Sequence, residues 1–175
     1  ETAQAMNKVF AEREVYKRYL CVTRGFTAEE GFIDHPIKEK LDKLADKHAN
    51  PDKPPQEAQT AYKRLGTVEL EMPVGRYASA RYSLVAVEPH TGRKHQIRRH
   101  MKHISHPLVG DTKHGDGRHN DAFRERYQLE RLLLMATDLR FVHPRNGEVL
   151  HFQAAVDDYC KNLFDQFGWQ GLYPA

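Results

Sequence analysis

The chain has 175 residues, with 27 Lys and Arg against 24 Asp and Glu, a formal net charge of +3 with histidine neutral. Hydrophobic residues make up 39% and charged residues 29%, ordinary usage for a folded domain of about 100–200 residues, so wholesale disorder is excluded and one self-sufficient core is expected. No apolar run reaches the roughly 18–20 residues of a membrane span and no apolar signal core stands at the N-terminus; the two cysteines, Cys21 and Cys160, are too few for a disulfide framework and read as small buried hydrophobes of a reduced, cytoplasmic compartment.

Residues 2–13 carry Ala3, Met6, Val9 and Phe10 at helical spacing. From 15 to 24 the period changes, and Val15, Tyr16, Tyr19, Leu20, Cys21 and Val22 make a β-rich run that stops at Gly25. Residues 27–31 read as a turn, Phe32-Ile33 as a short returning strand, and 41–49 as a charged helical excursion. Pro51, Pro54 and Pro55 then break any helix or central strand. Strand-like sequence on both sides makes 50–55 a surface loop inside one domain. Strands are expected over 58–71 and 76–88, ended by Pro89-His90-Thr91-Gly92. A helix should run from Arg93 or Lys94 to about Ile104, with Ile97, Met101 and Ile104 on one apolar stripe. Residues 111–120 form a polar, Gly-containing loop, with Asn120 placed to cap a short helix through Tyr127. Leu132-Leu133-Leu134 is a buried run of undetermined type. Residues 139–143 and 149–153 pair as a hairpin across Pro144-Arg145-Asn146-Gly147. A last helix from Val156 puts Tyr159, Cys160, Leu163, Phe164 and Phe167 on one face. Strands with interspersed helices and hairpin-type connections predict an α+β fold: a mixed, mostly antiparallel sheet with flanking helices.

The charge is concentrated. Between Glu88 and Asp111 there is no acidic residue, while Arg93, Lys94, Arg98, Arg99 and Lys102 give a local +5 among His90, His95, His100, His103 and His106. Such a patch on a near-neutral body is the footprint of phosphate contact or, more blandly, a solvated basic helix face. Cations in the first turns would add to the helix N-terminus in attracting phosphate. Arg98 adjoins the core-facing Ile97, so its guanidinium emerges at the edge of that face and needs an anionic partner, either a carboxylate or a phosphate.

The segment Thr91-Gly92-Arg93-Lys94-His95-Gln96-Ile97-Arg98-Arg99-His100 resembles the third signature motif of the large-subunit-type (A-type) pseudouridine synthases, T-G-R-x-H-Q-I-R-x-H. His106-Pro107-Leu108-Val109-Gly110-Asp111 is similar to the H-P-I-x-G-D that follows it there, and Lys17-Arg18-Tyr19-Leu20-Cys21-Val22 to the family's K-x-Y-x-A-x-V strand. The closing hairpin with His143-Pro144 also fits, so the resemblance spans almost the whole chain in family order. Residues 41–47, 110–116 and 167–172 resemble the branch of that family acting on the uridine at position 65 of transfer RNA.

The resemblance implies a cofactor-free, metal-free isomerisation on a transfer RNA partner. The uracil is flipped from its stack, its N-glycosidic bond breaks, the ring rotates, and a C–C glycosidic bond forms. Tyr19 matches the tyrosine that stacks on the target uracil and is a candidate for removing its C5 proton. Arg98 matches the arginine that ion-pairs with the nucleophilic aspartate. Arg93, Lys94, His95, Gln96, Ile97, Arg99 and Lys102 are the expected substrate-binding residues, with backbone and shape dominating over groove reading. The nucleophile of the family lies in H-R-L-D-R-x-T-S-G, and none of the eleven aspartates here stands in that context. That motif is expected before Glu1, which makes residues 1–175 the C-terminal larger part of a single catalytic domain, inactive alone. Arg98 would then be an orphan charge open to an anion, and a sheet edge left open would give a route to dimerisation. Two departures stand out: His114 where the family often has Tyr, and Met135 where it often has His.

Two rival readings remain. A non-catalytic RNA-binding module fits a chain without its nucleophile. A metal-dependent hydrolase would need His100, His103 and His106 to converge; at i, i+3 and i+6 they drift about 60° per step around a helix, and no H-E-x-x-H is present.

Overall fold

The computed structural model describes residues 15–38 and 54–174. The helices expected over 2–13 and 41–49, and residues 50–53 of the proline loop, lie outside these residues. Six strands, β1 (Val15–Arg24), β2 (Glu30–Asp34), β3 (Gln59–Leu70), β4 (Ala80–Pro89), β5 (Leu134–Val142) and β6 (Val149–Gln153), form one sheet in the order β2-β3-β4-β1-β5-β6. Every neighbouring pair is antiparallel, so among the described strands the expected mixed sheet is wholly antiparallel. Three helices accompany it: α1 (Gln96–His103), α2 (Gly117–Tyr127) and α3 (Asp158–Gln166). None of the described helices is long and apolar enough to cross a membrane.

β1 is central because its alternating side chains serve two cores. Leu20 and Val22 face a large cluster with Tyr82, Leu84, Phe123, Leu133, Cys160, Leu163, Phe164 and Trp169, covered by α2 and α3. Cys21 faces a smaller cluster with Val85, Val87, Ile97, Met101 and Leu108, covered by α1. Burial pushes both thiols up, Cys160 to about 12.

Four expectations are corrected. The short strand β2 does not return along β1; it pairs with β3 at the sheet edge, because β4 and β5 already flank β1 and the chain crosses the end of β4 through Gly25 N–H to Arg81 O (2.6 Å) and Ser83 Oγ to Gly25 O (2.9 Å). β4 starts at Ala80 rather than 76, since Val74 and Tyr77 close a tight turn on each other. α1 starts at Gln96 because His95 adopts a left-handed conformation, φ 57°, which no helical residue can hold. α2 is capped by Asp116, whose side chain accepts from Arg118 N, and not by Asn120. Asn120 is buried inside α2 and instead holds Gly110 N and Asp111 O. Leu133 belongs to the large core and Leu134 opens β5. α3 buries Cys160, Leu163 and Phe164 as the periodicity requires.

Candidate active site

The turn leaving β4 is fastened from inside. Thr91 is buried and donates its hydroxyl to Gln96 Oε1 (2.6 Å), while Gln59 N–H donates to Thr91 Oγ1 (3.0 Å). Gln96 uses both ends of its amide: Oε1 also accepts from Arg93 N, and Nε2 donates to Gln59 O (2.9 Å) and Thr60 Oγ1 (3.0 Å). Thr60 then meets His100 Nδ1 at 2.8 Å, and His100 Nε2 lies 3.0 Å from His35 O. Burial holds His100 below its usual range, so the network assigns Nε2–H as donor to the carbonyl and Thr60 as donor to Nδ1. β3, the turn and α1 are thus one hydrogen-bonded unit. Gln96 and Ile97, both expected to touch substrate, are buried here, and their side chains are occupied in holding α1 to the sheet.

Arg98 is not an orphan. Its Nε and Nη2 donate to Asp111 Oδ2 (2.8 Å) and Oδ1 (2.6 Å). The fork is side-on and bidentate, with the carboxylate 0% exposed and the arginine side chain 16% exposed. The expectation of a charge waiting for an anion fails because a carboxylate thirteen residues on is folded against it. Asp111 Oδ1 also accepts from Lys113 N (2.9 Å) and His114 N (2.8 Å). Burial would raise this carboxyl, but hydrogen bonds from Arg98 and the two backbone N–H groups outweigh it and hold it at about 2. Immediately before Asp111 the chain turns at Gly110, φ 80°, and packs against the segment entering β5, where a Cβ would overlap the Arg131 carbonyl oxygen.

His95 Nδ1 lies 3.1 Å from His114 Nε2, so one ring donates to the other across the Arg98–Asp111 pair. Burial, with Arg98 nearby, lowers both, which keeps the pair neutral. Tyr19 stands half-buried on the α1 side of β1, packed against the smaller core with Leu132 and Leu134. The β1–β5 register shifts between Arg18 and Tyr19, with Thr137 of β5 as the extra residue, a bulge in β5 directly beside the tyrosine. Two residues earlier, Lys17 Nζ reaches Thr91 O at 3.4 Å, and burial lowers its pKa.

The +5 segment therefore divides. Arg98 turns inward, while Arg93 Nε and Arg99 Nη1 donate to Glu57 O (3.0 Å) and Lys38 O (2.7 Å) on the other flank of α1. Lys94 and Lys102 are exposed. Sequence reasoning missed Asp111 as Arg98's partner and Lys17 as a neighbour of the turn. The first acid after the cation run was the available pointer to Asp111, and the strand periodicity that puts Lys17 and Tyr19 on one face was the pointer to Lys17. His100, His103 and His106 diverge, His106 bonding Arg24 O, and among the described residues no His, Cys, Asp and Glu group is placed to hold a metal.

Comparison with known proteins identifies the family. A family model described as RNA pseudouridylate synthase matches residues 1–103, over half of the chain. The chain belongs to the RNA pseudouridylate synthase family. Two family relatives are called tRNA pseudouridine synthase C. One, from Pectobacterium carotovorum subsp. carotovorum, is 46% identical over 174 residues, 99% of this chain and 46% of the relative. The other, from Vibrio parahaemolyticus, is 48% identical over 169 residues, 97% of this chain and 69% of the relative. The chain thus spans about half to two thirds of these relatives. Among solved structures, human RNA Pseudouridylate Synthase Domain Containing 1 aligns with TM-score 0.62 at 26% identity, covering 88% of this chain and 60% of that one. Human RNA Pseudouridylate Synthase Domain Containing 4 aligns with TM-score 0.67 at 22% identity, covering 95% and 67%, and bears on the fold.

Proposed function

We propose that the chain is the larger part of one catalytic domain that isomerises uridine to pseudouridine in transfer RNA, at position 65 on the acceptor-stem side, without a cofactor. The observation that carries the reading is the buried Arg98–Asp111 fork at the start of α1, on the same side of the sheet as Tyr19, in a chain of this family. N1–C1′ breaks, the uracil turns, and C5–C1′ forms. C5 then loses a proton to a base and N1 regains one, so composition is unchanged. Tyr19 is assigned the stacking face and the base that takes the C5 proton. Arg98 is assigned to orient the nucleophilic carboxylate: Asp111 occupies two of its five N–H donors, and the remaining donors serve the incoming aspartate. Asp111 is then a positioning residue. Arg93, Lys94, Arg99 and Lys102 are assigned to phosphates, and His95, Gln96 and Ile97 to the frame beneath them.

The nucleophile is assigned to chain outside these 175 residues, so they should release no tritium from 5-³H-uridine transfer RNA, while the full-length protein should. Turnover by the 175 residues alone would mean the nucleophile lies among them. In the full-length protein, Tyr19→Phe keeps the ring and removes the acid–base group, and should cut release by about 10²-fold or more with the folded stability intact. Full activity in that variant would take Tyr19 out of proton transfer. A non-catalytic RNA-binding module is the second reading, favoured by the absence of an H-R-L-D segment in the chain; a full-length protein that binds transfer RNA but releases no tritium would establish it.

A further inference from the structure

A second polar cleft lies beyond the candidate active site. It has a volume of about 810 Å³ between the Val74–Tyr77 turn, the start of β4 and the start of α2, and its lining includes Arg24, Arg76, Tyr77, Arg81, Arg118 and His119. The acids that line it are Glu69 and Asp116, and both are already engaged. Glu69 Oε2 pairs with Arg81 Nε (3.1 Å) and Asp116 Oδ2 with Arg24 Nη1 (2.6 Å), while Asp116 Oδ1 caps α2. His119 sits against Tyr82 Oη (2.7 Å) and is lowered by burial, hence neutral. Four arginines against two acids leave the cleft cationic, and its cations are all guanidiniums, whose planar forks suit phosphate oxygens.

The aromatic groups beside it are the second observation. Tyr77 is 60% exposed and Phe26 40% exposed, each a costly side chain to leave in water. Each carries a guanidinium over its ring: Arg76 Cζ lies 5.1 Å from the Tyr77 centroid and Arg81 Cζ 5.3 Å from that of Phe26. Arg76 Nη2 also donates to Tyr77 Oη (2.9 Å), which fixes the ring. Exposed rings alternating with arginines are the arrangement that holds single-stranded nucleic acid, with bases stacked on the rings and backbone on the cations.

The cleft is shaped before any ligand arrives. Val74 and Tyr77 exchange backbone hydrogen bonds (3.1 and 3.3 Å). Gly75 stands at φ 61° with Arg118 Nη1 3.1 Å from where a Cβ would be, so a side chain there would displace the guanidinium. The loop from Asp111 to Asp116 joins the two regions, since Asp111 holds Arg98 and Asp116 holds Arg24. Five residues span at most about 18 Å, a few nucleotides of strand.

We propose that this cleft is a second RNA-contact site, taking the backbone and one unstacked base of the strand whose target nucleotide lies at Tyr19 and Arg98. The proposal rests on the functional reading above. It is tested by fluorescence anisotropy of labelled transfer RNA on the full-length protein over a range of salt concentrations. Tyr77→Ala should weaken binding about tenfold with the salt slope unchanged, because a stack and not a charge is removed. Arg118→Gln and Arg76→Gln should each flatten the slope of log K against log salt by about one. Photo-crosslinking with 4-thiouridine-substituted transfer RNA should recover the peptide containing Tyr77. Wild-type binding by all three variants, with Arg93→Gln/Lys94→Gln still impaired, would overturn the cleft assignment alone. Binding of inorganic phosphate in the cleft without any RNA crosslink, or displacement there by an acidic peptide and not by RNA, would also overturn it. Failure of the wild-type protein to bind transfer RNA would overturn the functional reading, and the cleft proposal with it.

Discussion

On one face of the sheet, Trp169, Phe164, Phe167, Phe123 and Tyr82 pack ring against ring beneath α2 and α3, at centroid distances of 4.8–6.1 Å. On the other, a smaller apolar cluster is rimmed by Gln96, Thr60, His100 and the Arg98–Asp111 fork, all bonded in defined directions. The first face gains stability from buried area, which is non-directional and tolerant of small shifts. The second gains less area but fixes α1 within hydrogen-bond tolerance. A group that must orient a reacting carboxylate belongs on the second kind of surface.

The largest effects should come from breaking each face at its centre. Trp169→Ala and Asp111→Ala should each cost about 3–5 kcal/mol by urea denaturation, the first through a cavity and the second through an uncompensated guanidinium. What separates the faces is rescue. Asp111→Asn keeps an acceptor for Lys113 N and His114 N, and combined with Arg98→Met it should recover a substantial part of the loss. No polar substitution at 169 should do the same. Equal, unrescued losses at both positions would erase the distinction.

A smaller effect follows from pH. Asp111 is held at about 2 in the folded chain against about 3.9 unfolded, so the unfolded state binds the proton first on acidification. The stabilisation is complete above about pH 4 and fades as pH falls through the folded value, about 2.5 kcal/mol in all. The difference in unfolding free energy between the wild type and Asp111→Asn should shrink across that window. A constant difference from pH 5 to pH 2 would mean that the Asp111 carboxylate is not held by Arg98.

How much of this was legible depended on whether the cause is local. The bounds of β1, the β5–β6 hairpin and the apolar face of α3 follow from periodicity and turn residues within a few positions, and all appear where the pattern puts them. β2 was legible as a strand but its place in the sheet was not, because its partner β3 lies beyond a long excursion and a two-residue apolar pair carries no record of which strand it meets. The start of α1 was misplaced because His95 is held left-handed from outside, by its bond to His114 and the Gln96 network. Arg98 was legible as a charge that needed an anion. Which anion it finds depends on Gly110 letting the next loop fold back, and helical spacing cannot show that.

The smallest expected effect concerns the flank of α1 away from Asp111. The Arg93 side chain donates to Glu57 O at an exposed position, and Lys94 is exposed, so the double variant Arg93→Gln/Lys94→Gln should leave the urea midpoint nearly unchanged, as surface substitutions do. If these cations touch phosphates, the slope of log K against log salt for transfer RNA should flatten by up to about two, one for each phosphate no longer neutralised. The bidentate Arg98 predicts the opposite pattern: Arg98→Lys should lower stability by leaving Asp111 imperfectly paired, while moving the salt slope little because its charge is spent inside the protein. An Arg98→Lys variant that shifts the salt slope as much as the Arg93/Lys94 pair would place its guanidinium among the groups that neutralise phosphate, and the two flanks of α1 would then share one role.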